Sequence, residues 1–241
     1  PSENLTATYA PVQHRSACGI HRGACRLATT GEQASHQVGV WMQDAVEYAL
    51  SGKCIVYPTT TQPALGCLPE PAALDTLYEL KRRPADMPVS IGVNSLEQAA
   101  ALVEVPSDVH SILADFPEGS LTVVLRAHKT LDARLGGDNV AIRVVAHPVA
   151  KELLAVTGPL TATSANRSGE APVSDCDEAA QLLSASGDGI GSISGTCSGG
   201  MPSTLIAWYS VYGSTELSDT EVLREGVVSK EEVLVWLRRR I

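Results

Sequence analysis

"LTATSANRSG", Leu160 to Gly169, is the stretch on which the reading of this chain turns. Five of its ten residues are Ser, Thr or Asn. Ahead of it, "AHPVAKELLAVTGP" is an apolar run at helical spacing, with Pro148 near its first turn and Gly158 after its last, the usual start and stop signals of a helix. Behind it, "EAPVSD" interrupts the chain with a proline. Side chains so rich in hydroxyls and amides do not belong in an apolar core, where each polar group needs a partner. A short strand that leaves a helix and ends in such a cluster raises the question of what those groups hold.

Working outward, apolar periodicity alternates between helix and strand from about Val40 onward. "WMQDAVEYALSGK" places Trp41, Ala45, Tyr48 and Ala49 on one helical face and stops at Gly52. The strand "KCIVYP" follows and ends in the hydroxyls of "TTTQ"; "PAALDTLYELKRRP" then aligns Leu74, Leu77 and Leu80 and must close before Pro84. "SLEQAAALVE" and "PSDVHSILADF" read as short helices, and "SLTVVLRA" and "NVAIRVV" as strands. After the opening stretch come a capped helix "SDCDEAAQLLSA", a short strand "GIGSIS", and the strands "PSTLIAWYS" and "EVLRE". Last is the helix "SKEEVLVWLRRR", whose Ser229 and Glu232 have capping-box spacing. No internal repeat and no long linker interrupts this order, so it predicts one α/β unit.

The chain has 241 residues, enough to bury a substantial core without staples. Its net charge of −9 disfavours a protein that holds nucleic acid mainly by neutralising phosphates, while leaving room for a small anionic ligand. No apolar run reaches the roughly 18 residues needed to cross a bilayer, so no membrane partner and a cytoplasmic location are expected. The basic residues Arg15, Arg22 and Arg26 keep an organellar leader open as the alternative. The cysteines at 18, 25, 54, 67, 176 and 197 are read as reduced, with Cys54 as a small core hydrophobe. His14, Cys18, His21 and Cys25 have zinc-ligand chemistry but none of the familiar zinc spacings, and no metal site is expected there.

Neither a P-loop nor GxGxxG is present, so any phosphate must be held largely by side chains. Lys81 and Arg83, two apart beyond an amphipathic helix, can direct an ammonium and a guanidinium fork at one anion. The same residues also suit a solvated helix end. Ser164 and Asn166 offer a hydroxyl and an amide to phosphate or ribose oxygens, or else an Asx or Ser turn that satisfies its own backbone. On the residues alone both pairs of readings stand.

Taken in order, Lys81-x-Arg83-Pro84 with Pro88 four residues on, "NVAIRVVAHP", "ATSANRSG", "PSTLIAW" and "VLREG" resemble the motif series of the YrdC/Sua5 family of threonylcarbamoyl-AMP synthases. The resemblance runs from about Val40 to the C-terminus, giving residues 1–36 as an extension of unknown role and 37–241 as a YrdC-like catalytic domain. It implies a single α/β domain with a twisted mixed sheet around a positively lined cavity, flanked by helices. It also implies condensation of L-threonine, bicarbonate and ATP to threonylcarbamoyl-AMP and pyrophosphate, with Mg2+ carried by the phosphates. The product would pass to transferase proteins that make the t6A base of tRNA. Position by position, Lys81, Arg83, Ser164 and Asn166 match the groups at the ATP phosphates, and Asn139 and Arg224 match nucleotide contacts. Thr59, Arg143 and Ser203 match threonine contacts. No side chain is expected to act as a nucleophile. The chain departs from the family's "PTETVYGLG" in reading "PTTTQPALG", with Thr60 in place of the acidic residue and Pro63 in place of the tyrosine, which bears on threonine selectivity. The alternatives are a related acyl- or carbamoyl-adenylate-forming enzyme, or a non-catalytic RNA-binding module of the same fold.

Overall fold

A computed structural model describes residues 42–184, 190–208 and 220–239. The extension up to residue 36, the His14, Cys18, His21 and Cys25 group and the Trp41 position lie outside the described residues. Helix α1 spans residues 42–50 and buries Ala45 and Ala49 of the expected stripe, but its buried face also takes Met42 and Val46, which the expectation left out, while the expected Tyr48 is half-buried at its margin. Strands β1 (Ile55–Tyr57) and β2 (Ala64–Gly66) are followed by α2 (Pro71–Lys81), β3 (Ile91–Val93), α3 (Leu96–Ala99) and α4 (Ser107–Asp115). Then come β4 (Leu121–Arg126), β5 (Asn139–Val144), α5 (Pro148–Thr157), β6 (Leu160–Thr161) and β7 (Thr163–Ser164). The chain continues through α6 (Cys176–Ser184), β8 (Gly191–Ser192), β9 (Thr204–Trp208), β10 (Thr220–Arg224) and α7 (Lys230–Arg238).

The α/β alternation forms as the periodicity predicts, including the Ser229 and Glu232 capping box of α7. Two strands, β2 and β3, are absent from the sequence reading; each has three residues, too few for period-2 alternation to register. The strands form two mixed sheets, a four-stranded one in the order β7-β2-β1-β8 and a six-stranded one in the order β10-β9-β4-β5-β3-β6.

The opening stretch corrects a second expectation, because it is two strands rather than one. Leu160 and Thr161 pair with β3 in the larger sheet, while Thr163 and Ser164 pair with β2 in the smaller. The chain changes sheets at Ala162, whose N–H donates to the Ser90 carbonyl at 2.8 Å and whose carbonyl accepts the Ser90 hydroxyl at 2.7 Å. Thr161 fastens the crossing to the end of β2: its N–H donates to the Cys67 carbonyl at 2.9 Å, and its Oγ1 accepts the Cys67 N–H at 3.0 Å. Part of the hydroxyl richness is therefore structural. A chain leaving one ladder for another needs partners that no single sheet supplies.

Tyr57 closes the same junction from within. Its ring is completely buried and its Oη donates to the Thr161 carbonyl at 3.0 Å, so a side chain of β1 in one sheet is tied to β6 in the other. Glycines on both sides make room: a Cβ at Gly66 would stand 2.6 Å from Tyr57 Cε1, and one at Gly92 3.0 Å from Tyr57 Oη. Because β1 is buried on both faces, its alternate residues feed two core clusters. Cys54 and Val56 face α2 and α6, and Ile55 and Tyr57 face α1 and α5. The described cysteines are free thiols, and Cys54 is core.

Gly66→Ala should therefore destabilise the fold by about 1–3 kcal/mol, the range for overpacking a filled site, since the Thr161 carbonyl also stands 3.0 Å from the added carbon. Urea unfolding checks this, and a loss below about 0.5 kcal/mol would show that the two sheets separate more easily than Tyr57 implies.

Candidate functional site

The site lies where strand faces and connecting loops converge. Side chains alternate along a strand, so Thr122 of β4, Ala141 and Arg143 of β5, and Leu205 of β9 share one face of the larger sheet. Over this face the loop after β1, the loop after α2 and the β6 to β7 crossing enclose a cavity of about 500 Å3. That volume falls within the range of small-molecule sites, roughly 300–1,000 Å3. Its charged lining residues are Arg83, Arg143, Arg224 and Asp86.

Each cation is held by oxygen atoms that carry no formal charge. Arg143, 7% exposed, donates through Nε and Nη2 to the Gly119 carbonyl at 3.2 and 3.0 Å and through Nη2 to Thr61 Oγ1 at 2.9 Å. Gly119 presents that carbonyl from a left-handed conformation with φ of 74°, which a side chain would strain. Arg83 donates through Nε to the Met87 carbonyl at 2.7 Å and through Nη2 to the Pro88 carbonyl at 2.9 Å. Arg224 donates through Nη2 to the Ser203 carbonyl at 2.8 Å. Among the described residues the ion pairs belong to Arg134 and Lys151, and none of the three cavity arginines has a carboxylate within ion-pair distance. Burial weakens the hold of Arg143 and Arg224 on their protons, and the charge of Arg83 adds to the effect at Arg224.

Lys81 and Arg83 diverge from one helix end. Arg82 between them is left-handed, with φ of 49°, so the chain reverses there and the Arg83 N–H bonds back to the Tyr78 carbonyl at 2.9 Å. Lys81, 1% exposed, turns inward behind the cavity wall, and Nζ donates to the carbonyls of Ser164 and, at 2.6 Å, Asn166. Burial, and after it the charge of Arg83, push its ammonium down to about 7.

The other expected residues divide. Ser164 lines the cavity beside Arg83, and Ser203 lines it with its hydroxyl 2.7 Å from that of Thr122. Asn166 adjoins Lys81, but its amide turns away from the cavity, with Nδ2 donating to the carbonyls of Arg167 at 2.9 Å and Glu170 at 2.6 Å. Thr59 is buried beneath the loop it organises: its Oγ1 donates to the Gln62 carbonyl at 2.7 Å, and its N–H donates to Cys197 Sγ at 3.3 Å. Hydrogen bonding from Cys176 first, then the Thr59 N–H and the charge of Arg143, hold the Cys197 thiol down to about 7. Asn139 lines a separate pocket with Arg126 and Lys129, two positions outward from Ala141 on the same face of β5. Thr61 and Thr122 line the cavity and escaped the sequence reading. Thr61 sits in the visible "TTTQ" cluster, whereas Thr122 inside "LTVVLR" gives no signal apart from the sheet register.

A family model, Sua5/YciO/YrdC, described as "Telomere recombination", matches residues 47–226. The threonylcarbamoyl-AMP synthase of Xanthomonas oryzae pv. oryzae is 34% identical over 157 residues, covering 62% of this chain and 83% of that protein. That of Pyrococcus abyssi is 34% identical over 131 residues, covering 52% of this chain and 38% of the relative. In three dimensions the chain resembles P. abyssi Sua5 complexed with L-threonine, with a TM-score of 0.67 and 30% identity over 80% of this chain and 56% of that one. The chain thus matches well under half of the archaeal protein by sequence and little more than half by structure, and most of the bacterial one.

Lys81 gives the site a pH signature. In the unfolded chain a lysine keeps its proton to about pH 10.4. The folded group loses it near pH 7. Between those values the native state binds fewer protons, so this residue makes stability rise as the pH climbs from about 7 toward about 10. In urea unfolding at about pH 6.5 and about pH 9, the stability difference between wild type and Lys81→Met should move toward wild type by at least about 1 kcal/mol. A difference independent of pH would mean that the ammonium is not disfavoured in the fold.

Proposed function

The chain belongs to the Sua5/YciO/YrdC family, and from that premise we propose that it is an L-threonylcarbamoyladenylate synthase. It would condense L-threonine, bicarbonate and ATP to threonylcarbamoyl-AMP, pyrophosphate and water. One observation carries the reading: a single cavity holds three guanidinium groups and one carboxylate, and none of the three is neutralised by a described acidic residue. Such a cavity suits more than one anion at once.

The chemistry asks for that. The threonine amine attacks bicarbonate, or the CO2 in equilibrium with it, to give an N-carboxylate. This attacks the α-phosphorus of ATP, and pyrophosphate leaves. No protein nucleophile is needed; the catalytic contribution is to hold an amino-acid carboxylate, a carbamate and a triphosphate together and to offset their repulsion. In this reading Arg143, at the buried end with Thr61 and Ser203, takes the threonine carboxylate, and Thr59 shapes that loop from below. Arg83, Arg224 and Ser164 would then hold the polyphosphate, with Lys81 adding charge from behind the turn at Ser164 and Asn166. Asn139 stands further along β5, where the nucleoside end would extend. Asp86, the carboxylate of the lining, is the side chain available to a Mg2+ ion that the phosphates and water hold, and the ion would lower the negative charge of the polyphosphate. Pro63 lines the cavity while Thr60 is exposed and outside the lining, so of the two departures Pro63 is the one that bears on amino-acid fit. The product would pass in the cytoplasm to proteins that transfer the threonylcarbamoyl group to tRNA.

Purified protein given ATP, Mg2+ and bicarbonate should release pyrophosphate in a threonine-dependent manner. Arg143→Ala should raise the KM for threonine at least about tenfold, equivalent to about 1.4 kcal/mol. Release that ignores threonine and responds to carbamoyl phosphate would replace the acyl donor. A steeply salt-dependent RNA affinity without ATP binding would make the chain a binding module instead.

A further inference from the structure

Arg83 is half-buried and carries a long, flexible stem, yet its guanidinium is held against the carbonyls of Met87 and Pro88, which belong to a loop rather than a strand. What fixes that loop lies outside the cavity. Tyr78 of α2 places its Oη 2.8 Å from the Met87 carbonyl and 2.9 Å from the Arg134 carbonyl, so its one proton is shared between two acceptors. The Arg134 carbonyl also accepts the Val89 N–H at 2.9 Å, which pins the far end of the same loop.

Arg134 is itself clamped. Its side chain reaches Asp75 of α2, Asp132 at 2.8 and 3.0 Å, and the Pro71 carbonyl at 3.2 Å, and its guanidinium lies 5.7 Å from the centre of the Tyr78 ring. A continuous line of contacts thus runs from α2 through Arg134 and Tyr78 to the Met87 carbonyl, and from there to Arg83 in the cavity wall. Fixing a rotamer-rich side chain before its ligand arrives lowers the entropic cost of binding. A carbonyl already engaged by the Tyr78 hydroxyl fixes it better than one left without a donor.

We infer that Tyr78 and Arg134 are positioning residues that aim Arg83 into the cavity and so set the affinity for the anionic part of the ligand. Naming that ligand ATP rests on the function proposed above; the aiming does not. Neither side chain lines the cavity.

Tyr78→Phe keeps the ring and its contact with Arg134 and removes only the hydroxyl. In 15N NMR of the arginine side chains, with the Arg83 Nε–H assigned through Arg83→Lys, hydrogen exchange at Arg83 should quicken in Tyr78→Phe while Arg143 is unchanged. By titration calorimetry the affinity for ATP should fall roughly three- to tenfold, as for loss of one neutral hydrogen bond, with threonine affinity held within about twofold. In an Arg83→Ala background Tyr78→Phe should have no further effect on ATP, because the coupling runs through Arg83. Arg134→Lys, which keeps the charge and loses the fork, should move Arg83 exchange the same way. Unchanged exchange at Arg83 in both variants, or an equal loss of ATP affinity with and without Arg83, would overturn the inference. Quickened exchange in a protein that binds no ATP would uphold the aiming of Arg83 and remove the nucleotide reading instead.

Discussion

The structure depends on cations held by main-chain carbonyls rather than by carboxylates. Moving an unpaired guanidinium or ammonium out of water costs several kcal/mol even after the surroundings relax. A carboxylate partner would offset that cost and also cancel the charge. Carbonyl dipoles offset part of it and leave the charge whole, and this choice recurs at Gly119, Met87, Pro88, Ser164, Asn166 and Ser203. The backbone bends that present these oxygens are then necessary features of the fold. Gly119 is left-handed to face Arg143, and Arg82 is left-handed so that Lys81 and Arg83 can part.

The crossing between sheets serves the same end. Because residues 160–164 leave the larger sheet and join the smaller, the carbonyls after Ala162 run beside the end of α2, where Lys81 reaches Ser164 and Asn166. A single uninterrupted strand would have committed those carbonyls to a ladder. The tie from Tyr57 to Thr161 keeps the sheets in register at the crossing, so a core contact helps to determine the geometry of a surface cavity.

How much of this the sequence discloses depends on the length scale of each signal. Helix α2, with leucines at helical spacing and a proline beyond its end, is legible because its pattern repeats over three turns. The capping box of α7 is legible because it is local. Strands β2 and β3 are not, since three residues carry no period, and the change of sheet at Ala162 is a long-range property that no local pattern encodes. At the site, Ser164 and Asn166 look alike in sequence, yet one faces the cavity and the other donates its amide to the carbonyls of its own turn. Motif order finds Arg143; the depth of its burial and its hydroxyl partner Thr61 come only from tertiary packing.

An overall charge of −9 and a cationic cavity are compatible because the two act over different distances. Exposed charges are screened beyond about 8 Å at physiological salt, whereas groups facing one another across a low-dielectric hollow interact with little screening. The acidic exterior therefore does little to Arg143, whose immediate surroundings are a carbonyl, a hydroxyl and apolar strand residues. Like charges brought together in this way resist one another, as the effect of Arg83 on Lys81 and Arg224 shows. An anion that enters relieves the repulsion as well as making its own contacts. Two anions held side by side still repel each other, and the first to arrive lowers the positive potential that the second meets; three guanidinium groups in one hollow keep that cost small, because a cation is left for the second anion after the first has paired.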